Sequence, residues 1–159
     1  MPILHSQYAA RGRKPDGSEV DLPASMALAG QGPVVQVTVS LSPAMAAPII
    51  QQGGQVPVPF SGLALLDTGA SGTCIDTDIA TQMGLPIVGV GKMTSASQHE
   101  VDAPIYAIQI QVVGLPLAFQ APRALGVGLK SQGLIALIGR DALSAAVFIY
   151  NGGTGSITL

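Results

Sequence analysis

The sequence predicts an all-β, barrel-like domain, and three observations predict it. Apolar runs of strand length follow one another closely, and several alternate with polar residues, as Val34 to Leu41 does. Turn chemistry separates the runs, at Pro15-Asp16-Gly17-Ser18, Gly30-Gln31-Gly32-Pro33 and Asn151-Gly152-Gly153. Only two short stretches, after Asp76 and after Gly139, carry helix-start signals.

Residues 1–33 hold six of the sixteen charged residues and read as an N-terminal arm or extension, with a tight turn at Pro15-Asp16-Gly17-Ser18. Residues 34–159 read as the main domain. Val35, Val37, Val39 and Leu41 share one face of a strand, and Gln36, Thr38 and Ser40 share the other. Ser42 to Pro59 is rich in Pro, Gly and Gln and reads as a long excursion with Gly53-Gly54 at its tip. Phe60 to Leu66 is the next strand and ends at Asp67. Thr73-Cys74-Ile75 is a short strand. Asp76 or Thr77 then caps a helix that ends at Gly84. Ile87 to Thr94 and Val101 to Val113 form the arms of a long hairpin around Ser95 to Glu100. Leu115 to Ala121 is one more strand. Leu134 to Ile138 is an unbroken apolar run, hence a buried strand, and Gly139-Arg140-Asp141 opens a short helix. Val147 to Tyr150 and Ser156 to Leu159 flank a glycine-rich turn and make a terminal hairpin.

Composition narrows the function. The chain has 159 residues, of which 48% are hydrophobic and 10% charged, with a mean hydropathy of +0.48; about a quarter charged is usual. No apolar run approaches the roughly 18–20 residues of a membrane helix, so no membrane span is expected. An apolar, charge-poor chain without a span points to self-association. The formal net charge of -2 argues against nucleic acid as a partner. Arg11, Arg13 and Lys14 are followed by Asp16 and Glu19 and read as a solvated turn. Cys74 is the lone cysteine and there is no signal-peptide pattern, so a reducing, cytoplasmic setting is expected. His5, His99 and Cys74 make no metal cluster at ligand spacing, and Gly126-Val127-Gly128 lacks the residues of a phosphate loop, so no metal or cofactor is expected.

The chemistry concentrates at Ala64-Leu65-Leu66-Asp67-Thr68-Gly69-Ala70-Ser71-Gly72-Thr73. Here an apolar strand delivers one carboxylate into a turn of small residues. Of seven aspartates, Asp67 alone has this setting. Asp76, Asp78 and Asp141 look like helix-start residues, and Asp102 lies in a hairpin arm. Two carboxylates that share a proton can activate water against an amide, because like charge separates their ionisations. One chain supplies one such aspartate. The second would come from a second copy across a two-fold axis, an arrangement suited to an isologous dimer.

The motif Leu65-Leu66-Asp67-Thr68-Gly69-Ala70-Ser71, the later Leu137-Ile138-Gly139-Arg140-Asp141, and the order of elements between them resemble the retropepsin-like (retroviral-type) aspartic proteases. The terminal hairpin is closer to the cellular and bacterial single-lobe members. The resemblance covers roughly residues 34–159. It implies a single-lobe, pepsin/retropepsin-like closed barrel with one or two short helices and a flap hairpin, and a homodimeric endopeptidase acting on an extended peptide or protein. By the same resemblance Asp67, Thr68 and Gly69 are catalytic, with Thr68 bonding across the dyad. Ala70, Ser71, Ser95, Ala96, Ser97 and Ile138 contact substrate, and Gly139, Arg140 and Asp141 are structural. Many viral members carry an acid where this chain has Ser71, which leaves Arg140 to find another partner. The flap tip also lacks the usual glycines. A catalytically inactive dimerisation or peptide-binding module on the same fold is the alternative, and a third possibility is that residues 1–33 occupy the cleft.

Overall fold

Eight residues of strict alternation set the frame. Val35, Val37, Val39 and Leu41 are buried while Gln36 is exposed, in a strand spanning Val34–Leu41. The computed structural model describes residues 3–95, 98–116 and 118–159. In chain order its elements are β1 (His5–Gln7), β2 (Ala10–Arg13), β3 (Glu19–Leu22), α1 (Ala24–Gln31), β4 (Val34–Leu41), α2 (Pro43–Gln51), β5 (Phe60–Leu66), β6 (Cys74–Asp76), α3 (Thr77–Met83), β7 (Ile87–Ser95), β8 (Gln98–Val112), β9 (Ala118–Val127), a 3-10 turn at Lys130–Gln132, β10 (Ala136–Ile138), α4 (Arg140–Leu143), β11 (Ile149–Asn151) and β12 (Ser156–Thr158).

The main sheet runs β4-β5-β10-β6-β9-β8-β7, and β4 also pairs with β8. That extra pairing closes six strands into a barrel and leaves β7 outside it, attached among the described residues only to β8. Closure removes the unpaired edges an open sheet would expose. The protein is therefore mostly β, with the closed barrel expected from the sequence. β8 is long enough for two tasks. Residues 108–112 pair with β4 and residues 98–106 with β7, so the β7–β8 hairpin projects past the barrel.

The barrel interior holds Val37, Val39, Ile75, Ile108, Ile110, Val112 and Ile138, each fully buried. Burying one such side chain contributes roughly 1.5–3 kcal/mol. A second sheet, β1-β12-β11, brings residues 5–7 against residues 156–158. Tyr8, Ala27 and Leu28 join the barrel's core cluster, and β2 and β3 form the hairpin whose tip is Pro15-Asp16-Gly17-Ser18.

Among the described residues four short α-helices stand where one or two were expected. The excursion read from Ser42 to Pro59 contains α2, which starts with Pro43 in its first turn, where a missing N–H costs nothing. Met45, Ala46 and Ile49 turn toward the core at helical spacing. Proline-rich composition hid that spacing. The strand expected at Leu115 to Ala121 begins later and runs further, as β9. Where the chain reads Asp76 as a cap, the structure agrees: its Oδ1 accepts the Ile79 N–H at 3.1 Å, and Gly84 ends α3 in the left-handed region at φ 69°.

Candidate active site

β5 and β10 run parallel in register, Ala64 beside Ala136 and Leu66 beside Ile138. One residue on, the Asp67 N–H donates to the Ile138 carbonyl at 2.9 Å, the last bond of that ladder. The strand stops there because the Asp67 side chain takes over. Its Oδ1 accepts from Gly69 N–H at 2.8 Å and Ala70 N–H at 3.2 Å. This is an aspartate-headed turn, in which a short carboxylate replaces a backbone acceptor. Among the described residues both bonds to the carboxylate fall on Oδ1. A Cβ at Gly69 would stand 3.1 Å from Asp67 Oδ1, a tight contact that would ask the carboxylate to shift by a few tenths of an ångström.

The carbonyls of the turn face the start of α4. Arg140 Nη1 donates to Thr68 O at 2.7 Å and to Gly69 O at 3.1 Å. The Arg140 N–H donates to Ala70 O at 3.0 Å, and the Asp141 N–H to Ser71 O at 3.3 Å. Asp141 then fastens the far side of the turn. Its carboxylate accepts from Thr73 Oγ1 at 2.8 Å, Thr73 N–H at 3.0 Å and Ala142 N–H at 2.8 Å. Thr73 Oγ1 in turn accepts from Gly139 N–H at 3.2 Å. Gly139 crosses directly against the turn. A Cβ on it would lie 2.5 Å from the carbonyl carbon and oxygen of Gly72 and 3.0 Å from Thr73 N.

Cys74 follows Thr73 and is buried. Burial, with the Asp141 and then the Asp67 carboxylate adding, pushes its thiol up to about 11. Protonated and covered, it is a packing residue rather than a nucleophile.

Asp67, Thr68, Gly69, Ala70, Ser71, Gly139, Arg140 and Asp141 are thus brought into one constellation. Asp67 and Ala70 are half-buried, while Thr68, Gly69 and Ser71 are exposed. Ile138 needs correction as a substrate contact. Its side chain is fully buried, and its part in the site is the carbonyl that holds the Asp67 N–H. Ser95 ends β7, paired with Gln98 of β8. Ala96 and Ser97 lie outside the described residues. Among the described residues no group of three or more His, Cys, Asp or Glu is placed to hold a metal, and no helix is long and apolar enough to cross a membrane.

No protein-family model matches the chain, and no curated protein matches it. Among solved structures the chain is similar to a retropepsin-like aspartic protease from Rickettsia conorii. That match has 14% identity and a TM-score of 0.44, over 99% of this chain and 90% of that one. At that distance the functional reading rests on this chain's own residues.

Two features lay beyond the reach of sequence reasoning. Asp76 does more than cap α3. Its Oδ2 also accepts from Leu129 N–H at 2.7 Å and Lys130 N–H at 3.0 Å, which moors the loop after β9 to the site's flank. The other is a groove of about 430 Å³ lined by Gly30, Gln31, Val34, Leu63, Leu65, Gln132 and Leu134. None of the predicted site residues lines it.

Proposed function

We propose that the protein is a homodimeric aspartic endopeptidase in which Asp67 of each protomer supplies half of a catalytic pair. The observation that carries this reading is the pose of Asp67. It is half-buried at the end of a strand, with Oδ1 tied to two turn amides. A carboxylate so held can lie close to a symmetry mate without rotating away. Two such groups at close range hold one proton between them, and their apparent ionisations belong to the pair. The ionised member draws a proton from water, the water oxygen attacks the peptide carbonyl, and the protonated member donates to the carbonyl oxygen. On collapse of the tetrahedral intermediate the carboxyl that took the water proton gives it to the leaving nitrogen and its mate takes one from a hydroxyl of the intermediate. The amine leaves, the pair again holds one proton, and no covalent enzyme intermediate forms.

Thr68 and Gly69 are exposed beside the carboxylate, where Thr68 would bond to its mate across the two-fold axis. Ala70 and Ser71 would border the peptide, and the β7–β8 hairpin with Ser95, Ala96 and Ser97 would close over it. Main-chain pairing to an extended substrate suits such a hairpin. Exposed apolar residues support self-association. Ile149 and Tyr150 stand on β11, at the edge of its sheet, and Val147 lies just before them.

The test is digestion of a peptide library by the wild-type protein and by Asp67→Asn, with the mass of each in solution measured in parallel. The expected outcome is a wild-type dimer that cleaves, is blocked by a statine-type transition-state mimic, and loses cleavage in Asp67→Asn while staying dimeric. Undiminished cleavage by Asp67→Asn refutes the mechanism. An intact library with a dimeric wild type favours the binding-module alternative.

A further inference from the structure

We infer that Arg140 is a positioning residue for Asp67, acting through the two peptide groups that hold the carboxylate. The geometry is paired at each one. The peptide between Thr68 and Gly69 gives its N–H to Asp67 Oδ1 at 2.8 Å and its carbonyl to Arg140 Nη1 at 2.7 Å. The peptide between Gly69 and Ala70 does the same, at 3.2 Å and 3.1 Å. A trans peptide is planar with N–H and C=O on opposite sides, so a group anchored at its oxygen can aim its N–H in only one direction. Arg140 therefore fixes the direction of both donors to Asp67 without touching it.

The bond type strengthens the effect. A cation on the carbonyl polarises the amide and makes its N–H a better donor, by about 10–30% per bond in such chains. Charge-assisted bonds of this kind are shorter and stronger than neutral ones. The 2.7 Å separation to Thr68 O fits that description. One nitrogen with two hydrogens serves two successive carbonyls, which explains why a lone arginine without a carboxylate partner stands here. The salt bridges among the described residues do not include it. The residue two places after Gly69 is Ser71, so the guanidinium turns to the backbone. The first turn of α4 supplies two more donors to the same run, at Ala70 O and Ser71 O. These hold the turn in place, while the side chain sets the tilt of its first two peptides.

The catalytic part of this inference rests on the endopeptidase reading; the geometric part does not. The experiment compares wild type, R140M and R140K. Amide hydrogen exchange of Gly69 and Ala70 is read by NMR, with Val37 in the barrel as internal reference. In R140M the two turn amides are expected to exchange at least about 10-fold faster with Val37 unchanged, and R140K is expected to restore most of the protection. Where cleavage is present, kcat in R140M is expected to fall about 10- to 100-fold with KM nearly constant, the mark of a misaimed group rather than weakened binding. Unchanged exchange at Gly69 and Ala70, or a loss confined to KM, overturns the inference. Should R140M fail to fold, through-hydrogen-bond couplings from Arg140 Nη1 to the Thr68 and Gly69 carbonyl carbons in wild type decide it, and their absence overturns it. A wild type that cleaves nothing would refute the endopeptidase reading alone, because exchange and couplings still report on the clamp.

Discussion

Replacing Gly139 by alanine adds one methyl where two backbone segments meet, and its effect can be worked from distances. The new Cβ would lie 2.5 Å from Gly72 C and O, against an ordinary contact of 3.4 Å or more. The atoms it meets are backbone, so no rotamer can yield, and the segments must separate by roughly 1 Å. Both are pinned. The Gly139 N–H reaches Thr73 Oγ1 at 3.2 Å, and the Arg140 N–H reaches Ala70 O at 3.0 Å. A 1 Å shift breaks both. Overpacking of this kind costs about 1–3 kcal/mol, and each lost bond about 1 kcal/mol more. The expected destabilisation is about 3–5 kcal/mol, a large share of a domain's usual 5–15 or so. In calorimetry this corresponds to a fall in Tm of about 6–20 °C for a chain of this size. Because the same shift moves the Asp67 turn, any peptidase activity should fall further than stability alone explains. Gly128→Ala is the control, since its Cβ would meet nothing within 4 Å; its Tm should stay within about 2 °C of wild type. A Gly139→Ala protein as stable as that control would refute the close crossing and the site built on it.

Asp76→Ala should destabilise by about 3–5 kcal/mol, because it removes a helix cap and strands the N–H groups of Leu129 and Lys130; urea unfolding checks this, and a change below about 1 kcal/mol would contradict the mooring role. Gly30→Ala lies in α1, exposed, with nothing near its added methyl. It should stabilise by about 0.5–1 kcal/mol, seen as a small rise in Tm. Cys74 should resist thiol-specific alkylation at pH 8 until the protein is unfolded. Its folded thiol sits at about 11, above an ordinary 9.0. The stability it contributes is therefore fully present below pH 9 and lost as pH rises toward 11. That loss should appear in pH-dependent urea midpoints of wild type and be missing from Cys74→Ala; identical curves would contradict it.

What was legible in the sequence was whatever the chain encodes locally. Alternation from Val35 to Leu41 specified a strand with one dry face, since side chains of a strand point to opposite sides in turn. Asp67 in a Thr-Gly-Ala-Ser turn specified its own hydrogen bonds, because its acceptor and its donors lie within three residues. Asp76 before Thr77 and Gly84 after Met83 marked α3 for the same reason. Tertiary structure decided the rest. α1 and α2 were hidden by proline and glycine at their ends, and they are fixed by where Leu28, Met45 and Ile49 find a core to cover. Arg140 reaches carbonyls 71 and 72 residues back in the chain, and Asp76 reaches N–H groups 53 and 54 residues ahead. Ile138 was expected to contact substrate only by resemblance, and its side chain is fully buried in the barrel. Partners that distant are chosen by how strands pair and close, and no local spacing records that choice.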